Sequence, residues 1–548
     1  VIDALKSPDV EMQTGAIAIV REIAGAEVTK ALAQELPNLG ATAQVQLLAA
    51  LADRGDALAL PAVIGASKSQ DESVRVAALK AVGQIGDASS VPLLAERAAT
   101  SKGAEQKAAR DSLYRLRGSE IDASILQNLP SAATDVKVEL LSAIGERNIA
   151  GSIEALLKTS RHEQRKVRIE SFKVLRTVGK PEDMPALVNM LLEVKGDSDR
   201  TEAEKTVAVV AHKIEDTTRQ AAAVLQVLPN VKDNPNRASL LRVLGRIGDS
   251  SALPTLRTAL GTREAEIQDA AIRALSDWPT AEPVPDLLKV AQTAENAKYK
   301  VLALRGFVRL LGLESGRSAA ETTDLYKKAM ELAGDAQEKK RVLSGLASAK
   351  SLAALNMAAQ YLDDLPLHLE AESAVVQIAQ GACGADPART KEVLTKVIGA
   401  TKQDAIRQQA QELINLIERF DDYLVAWQVS GPYTKDVQAN ELIDAAFPPE
   451  QEGQQAQWQA MPAGATPASP WLIEPDKVAT LAGDKRVAYL RTKIWSPKEQ
   501  KARLEVGSDD GVKVWLNGQV VHANNAERAV QPGEDKVDVT LKEGANSV

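Results

Sequence analysis

The residues able to do chemistry are few and scattered. The four histidines are His162, His212, His368 and His522, and the only cysteine is Cys383. No two histidines lie close in sequence, and the chain holds neither a His-Glu-x-x-His nor a Cys-x-x-Cys pair, so no local zinc set exists. A single thiol excludes an internal disulfide, a four-cysteine zinc site and an iron–sulfur cluster. In Gly381-Ala-Cys-Gly384 that thiol lacks a neighbouring histidine to activate it and reads as buried and structural. No phosphate loop of the form Gly-x-x-x-x-Gly-Lys-Ser/Thr occurs. The runs Gly312-Leu-Glu-Ser-Gly316 and Gly507-Ser-Asp-Asp-Gly511 both miss the Gly-x-Ser-x-Gly elbow. His162 reads as a loop residue, His212 as a repeat-surface or core residue, His368 as lying near a helix start and His522 on a short strand. These residues assign no catalytic group, no metal ligand and no cofactor.

What must position side chains is easier to read. The chain has 548 residues, 66 basic against 74 acidic, and a formal charge of −8. An apolar share of 45% excludes wholesale disorder, and no apolar run is long enough to span a membrane. Of 17 aromatic residues, eight fall in 1–420 and nine in the last 128, among them Trp427, Trp458, Trp471, Trp495 and Trp515. The last 128 residues carry 13 basic and 19 acidic side chains, leaving 53 and 55 for the long part, a net −2. Two kinds of packing are implied, with a boundary near residue 420. Val1 opens the chain without a charged n-region and apolar h-region, as a fragment or processed product would.

The long part repeats. Ser73–Asp87 and Arg237–Asp249 both carry apolar residues at helical spacing and both stop at Gly-Asp. Glycine suits that end because a helix commonly closes on a left-handed residue. Proline then opens a following helix at Pro61, Pro92, Pro185, Pro254 and Pro285, at intervals of 31, 93, 69 and 31. Gly55, Gly86 and Gly179 keep the same register. About thirteen helix pairs are expected, their second helices beginning near Gln13, Val45, Val74, Gln106, Val136, Val167, Lys205, Arg237, Ile267, Lys300, Lys339, Glu372 and Ile406. Lys195–Glu204 and Gly312–Ala320 read as polar loops. One helix pair cannot bury its own apolar face, so neighbours must stack.

With its Val-Arg and Gly-Asp…Val-Pro landmarks, residues 1–420 resemble the HEAT-repeat family in its short-period form. The resemblance implies a right-handed α-solenoid whose second helices line a concave face, an architecture that usually holds a partner or spaces other domains. Basic residues recur there at matching positions: Arg75, Lys137, Arg168 and Arg237, then Lys80, Lys173, Arg242, Arg273 and Arg305. They read either as a stripe for an anionic partner, centred on Lys173, Arg242, Arg273 and Arg305, or as a ladder paired with acids such as Asp71 and Glu170. A segment at −2 excludes nucleic acid as the expected partner.

After Phe420 the period changes to two. Val487–Trp495, Ala502–Val506, Val512–Leu516, Val520–Ala523 and Val537–Leu541 alternate as half-buried strands do. Asn517-Gly518 predicts a type I′ hairpin, and Asp509-Asp510-Gly511 a second turn. A Gln/Pro/Ala-rich stretch between Lys435 and Pro470 reads as a lid-like excursion anchored by Trp458 and Trp471, or as a linker. The runs Trp427–Tyr433, Ala488–Thr492, Gly507–Gly518 and Leu541–Asn546 make residues 421–548 similar to galactose-binding-like and PA14-like jelly-roll modules. That resemblance implies a β-sandwich, here truncated at its closing strand by Val548. In some PA14-like lectins an Asp pair holds calcium that coordinates sugar hydroxyls, and Asp509 and Asp510 match that pair loosely. Two carboxylates fall short of the six to eight oxygens calcium takes, and a turn capped by Asp side chains is the plainer reading. Trp515, which shares a strand face with Lys513 and Asn517, reads as a sugar-stacking platform or as a ring packed under the excursion.

The sequence therefore predicts a multidomain chain, an α-solenoid of HEAT-like pairs followed by a β-sandwich. Its expected role is that of a non-catalytic interaction or scaffold region of a larger protein with a protein or glycan partner, and the likeness of residues 421–548 to modules of large secreted bacterial proteins implies that this protein is bacterial and exported. Two alternatives stand beside it. One is the accessory region of an enzyme, for instance a carbohydrate-active one, whose catalytic domain lies outside this chain. The other is a self-assembling surface or filament protein.

Overall fold

The computed structural model describes residues 1–383, 386–419, 423–424, 427–451, 453–460, 472–474 and 481–548. Trp471 and Phe420 lie outside the described residues. The chain divides into two compact units, Val1–Pro279 and Thr280–Val548.

In the first unit nine long helices alternate with shorter ones. The long, second helices are Val10–Glu22, Ala41–Arg54, Glu72–Ile85, Gly103–Arg115, Thr134–Glu146, Arg165–Val178, Asp197–Ala211, Asn234–Ile247 and Ala265–Ser276. Four more stand in the second unit: Ala297–Leu311, Ala336–Leu346, His368–Ala382 and Asp404–Arg419. Three first helices enter on the same expected chemistry. Asp56, Asp87 and Asp249 accept the N–H two residues on and so cap a short 3₁₀ turn. Pro61, Pro92 and Pro254 then sit in the first turn of the helix that follows.

Two expectations fail here. Lys195–Glu204 is not a loop, because residues from Asp197 onward form the first turns of Asp197–Ala211, where Asp197 and Asp199 favour the positive helix end. Gly86 and Gly179 are not left-handed. Their φ values are −73° and −60°, against +66° at Gly55 and +71° at Gly248. Glycine is required at 86 and 179 for room instead, since a Cβ would lie 2.4 Å from the Val82 carbonyl oxygen and 2.5 Å from that of Leu175.

A side-chain latch closes most of the repeats. The fourth residue of nine second helices donates to a carbonyl at the end of the preceding first helix or in the loop after it. Gln13 reaches Ser7 at 2.6 Å, Gln44 Leu39 at 2.9 Å, Arg75 Gln70 at 2.9 Å and Gln106 Ala98 at 2.9 Å. Lys137 reaches Pro130 at 3.2 Å, Arg168 Glu163 at 2.7 Å and Arg200 Val194 at 2.8 Å. Gln268 and Arg407 do the same to Leu260 and Thr401, at 3.0 and 2.5 Å. These carbonyls have no partner within their own helix. From Gln13 to Arg168 the latch recurs every 31 residues.

The strands lie in the second unit. They are β1 (Gln428–Tyr433), β2 (Gln459–Ala460), β3 (Val487–Arg491), β4 (Lys493–Ser496), β5 (Gln500–Val506), β6 (Val512–Leu516), β7 (Gln519–Asn524), β8 (Asp535–Leu541) and β9 (Gly544–Ser547). They form small antiparallel sheets: β2-β1-β3, β4-β9, β5-β8 and β6-β7. The expected strand Val487–Trp495 changes partner at Thr492, pairing first with β1 and then with β9. Asn517 and Gly518 turn the β6–β7 hairpin with φ of +53° and +82°, as a type I′ turn requires. Alternation along β6 sends Trp515 into a cluster with Leu442, Phe447 and Tyr489, and Leu516 into another with Val539 and Leu541.

Candidate interaction surface

The four basic residues of the anticipated stripe fall into two kinds. Arg242 holds the carboxylate of Glu204 on the preceding second helix, with Nε at 2.9 Å and Nη2 at 2.7 Å, and Ser239 adds a hydroxyl at 2.8 Å. Glu204 is 1% exposed. A buried carboxylate requires donors to offset lost hydration, and the neighbouring repeat supplies them. Arg305 does the same for buried Glu338, at 2.6 and 3.0 Å, and this raises the Arg305 pKa. Lys173 and Arg273 pair within their own helices, with Glu170 at 3.2 Å and Asp269 at 2.6 Å. The side chains of all four stay between 32 and 58% in solvent.

The ladder extends beyond them. Arg75 bridges its own loop and Glu105 of the next second helix at 2.9 Å, and Arg168 does the same with Asp199 at 2.6 Å. Lys137 donates to its own loop, and Arg237 lies 3.7 Å from Glu264. Arg110 clamps Glu139 through two nitrogens, at 2.7 and 2.5 Å. Beside this pair, burial and then Glu139 push the Tyr114 phenol up to about 12. Lys205 and Arg176 hold Glu202 down to about 2. The Val-Arg landmark of the sequence is thus an arginine that joins a repeat to itself and to its neighbour. Sequence reasoning missed the acids because no single register collects them: Glu105, Asp199 and Glu338 stand third in their helices, Glu139 sixth and Glu204 eighth.

Elsewhere the anticipated residues stay apart. Asp509 and Asp510 are exposed in a turn where Asp510 has φ +60° and its N–H donates to the Arg528 carbonyl at 2.9 Å. Trp515 packs on Tyr489, ring centroids 5.9 Å apart, with the Lys513 ammonium 5.1 Å from its own ring. Asn517 pins the hairpin to β9 through Asn546 at 2.9 Å and the Ser547 N–H at 3.0 Å. Among the described residues no hydrogen bond or ion pair joins the Asp509-Asp510 turn to Trp515 or Asn517. Trp458 lies under Arg491, whose guanidinium carbon is 4.1 Å from the ring centroid.

Beside that turn stands a polar cluster that the sequence did not single out. Asp535 accepts from Arg528 and from Asn524 at 3.0 Å, and His522 Nε2 lies 3.3 Å away. Arg528 holds the carboxyl well below the usual range, and also donates to Ser508 at 2.8 Å. The serine donates onward to the Asp510 carbonyl, so histidine and serine are not joined as base and nucleophile. His162 and His368 bond nearby groups, at Gln164 and Leu365, and His212 contacts Gln220 and the Arg246 carbonyl of the next second helix, both at 3.2 Å. Cys383 is buried. Among the described residues no three His, Cys, Asp or Glu side chains gather to hold a metal, and no helix is long and apolar enough to cross a membrane.

A family model described as HEAT repeats matches residues 29–113 and 221–305. Solved structures similar to this chain include the karyopherin Kap121p bound to the SUMO protease Ulp1p. It is 14% identical, with 75% of this chain and 52% of that one covered and a TM-score of 0.47. Kap121p bound to Pho4p is 14% identical over 77% and 51%, with a TM-score of 0.43. The chain spans about half the length of these karyopherins. No curated protein matches it. The helical part is a solenoid of HEAT-like repeats, and small antiparallel strands follow it.

Proposed function

We propose that this chain is a non-catalytic protein-interaction scaffold. The observation that carries the reading is the repeat itself: HEAT-like helix pairs, most of them closed in one latch register and cross-linked by buried ion pairs, build a stacked array. Such an array holds partners by surface rather than by a reaction centre. Residues 421–548 act in the same reading as a separate jelly-roll module that brings a glycan or second protein to the array, in an extracytoplasmic setting. Tagging the chain at its native level and weighing its complexes by native mass spectrometry tests the reading. A stoichiometric complex with one or a few proteins is expected; the chain travelling alone would overturn it. For the module, a glycan array read with and without calcium is the matching measurement, and no retained sugar removes that part.

A further inference from the structure

Within the first unit the ninth residue of four consecutive second helices is basic: Lys173 in Arg165–Val178, Lys205 in Asp197–Ala211, Arg242 in Asn234–Ile247 and Arg273 in Ala265–Ser276. One turn further, the thirteenth positions are Thr177, Val209, Arg246 and Asp277. These eight positions therefore present five bases and one acid. The acids paired with the bases stand on other turns, at Glu170, Glu202, Glu204 and Asp269, and they lie deeper. Their side chains are 2–22% in solvent, against 32–58% for the five bases. That layering gives the face its sign. Coulomb energy falls with distance, so an approaching anion feels the outer basic layer more strongly than the sunken acids. Val209, 41% exposed and one turn from Lys205, adds apolar surface to the row.

We infer that this row binds an extended acidic segment of a partner protein, one that carries a carboxylate at every third residue. Charge complementarity names the acid, and spacing names the conformation. Packed helices stand about 8–10 Å apart, and these four second helices pack one on the next, so the row offers a basic group at each such step. A polyproline II chain has three residues per turn and rises about 3.1 Å per residue, which returns the same face every ~9 Å. A β-strand returns a face every second residue, at about 7 Å, and falls out of step by the second repeat. Arg242 also anchors buried Glu204, whereas Lys173, Lys205 and Arg273 pair only one turn away on their own helices. Those three can be changed with little disturbance to the stacking.

The inference rests on the scaffold reading only in taking a protein as the occupant. The probe is a fluorescein-labelled peptide of about fifteen residues, Glu-Pro-Pro repeated, titrated with the whole chain and read by anisotropy. Saturable binding is expected, weakened about tenfold when Lys173→Gln, Lys205→Gln and Arg273→Gln are combined, and about twofold by each alone. The single variants carry the test should the combined one lose stability. Lys30→Gln, Lys68→Gln and Lys102→Gln together remove the same charge from exposed sites off the row and should leave binding unchanged. Equal weakening in both sets would reduce the effect to net charge and overturn the assignment. A peptide of the same composition with its glutamates gathered at one end should bind less well; equal binding would remove the spacing argument and the segment with it. Absence of saturable binding, or displacement of the peptide by a single-stranded oligonucleotide of equal charge at lower concentration, would also overturn it, the latter giving the row to phosphate. A native complex that persists unaltered in the combined row variant would sink this inference while leaving the scaffold reading intact.

Discussion

Truncating Arg242 to alanine leaves the Glu204 carboxylate buried with only the Ser239 hydroxyl and a distant Arg246, 4.0 Å away. Removing one partner of a buried pair costs about 3 kcal/mol, and urea unfolding of Arg242→Ala should show a loss of that order. Lys173→Ala, which breaks an exposed pair one turn apart, should stay within about 0.5 kcal/mol of the parent. Equal losses in the two variants would dissolve the distinction between ladder and surface pair. Glycines divide in the same manner. A Cβ at Gly245 would sit 2.4 Å from the Ala274 Cα, whereas Gly15, inside a helix, has nothing within 4 Å. Gly245→Ala should therefore destabilise by about 1–3 kcal/mol, and Gly15→Ala should stabilise by about 0.5–1 kcal/mol. Glu202 supplies the pH dependence. Its folded pKa of about 2 lies below the ordinary 4.5, so its contribution is complete above 4.5 and is lost as pH falls from there toward 2. With screening at a partly exposed site the effect is about 1 kcal/mol. Glu202→Gln should remove that part of the acid sensitivity, seen by comparing melting temperatures at pH 7 and pH 3.

At the scale of elements, the latch should be worth about 1 kcal/mol where it is a neutral hydrogen bond. Gln106→Ala frees the Ala98 carbonyl, and hydrogen exchange should quicken at the end of Val91–Thr100 and the start of Gly103–Arg115 while Val10–Glu22 keeps its protection. Helix starts were legible because Pro, Asp and apolar spacing are local signals; most of the anticipated starts fall within four residues of the observed ones. The exception, Asp197–Ala211, begins eight residues before the expected Lys205, since its first turns are acidic and polar and so resemble a loop. The latch was hidden in plain spacing. Gln, Arg and Lys alternate at that position, so residue type conceals what donor geometry has in common. Strand positions in the C-terminal part were readable to within about two residues from alternation, but pairing was not. That β4 finds β9 and β5 finds β8 depends on contacts between residues far apart in sequence, which carry no local mark.

For the molecule as a whole, the sequence named the repeat class and left the partner open. The buried acids could not be seen in advance, because an acid on a helix reads as solvated until a neighbouring repeat covers it. The basic residues show the same limit: a stripe and a ladder use the same arginines, and only distances to acids such as Glu204 and Glu338 tell how each is held. The latch has one more consequence. Its carbonyl lies only five to eight residues upstream of the side chain that holds it, so a repeat can seal itself the moment its second helix appears. A chain leaving the ribosome would then order in instalments of about thirty residues, and adding or losing one instalment would lengthen or shorten the array without rewriting its neighbours.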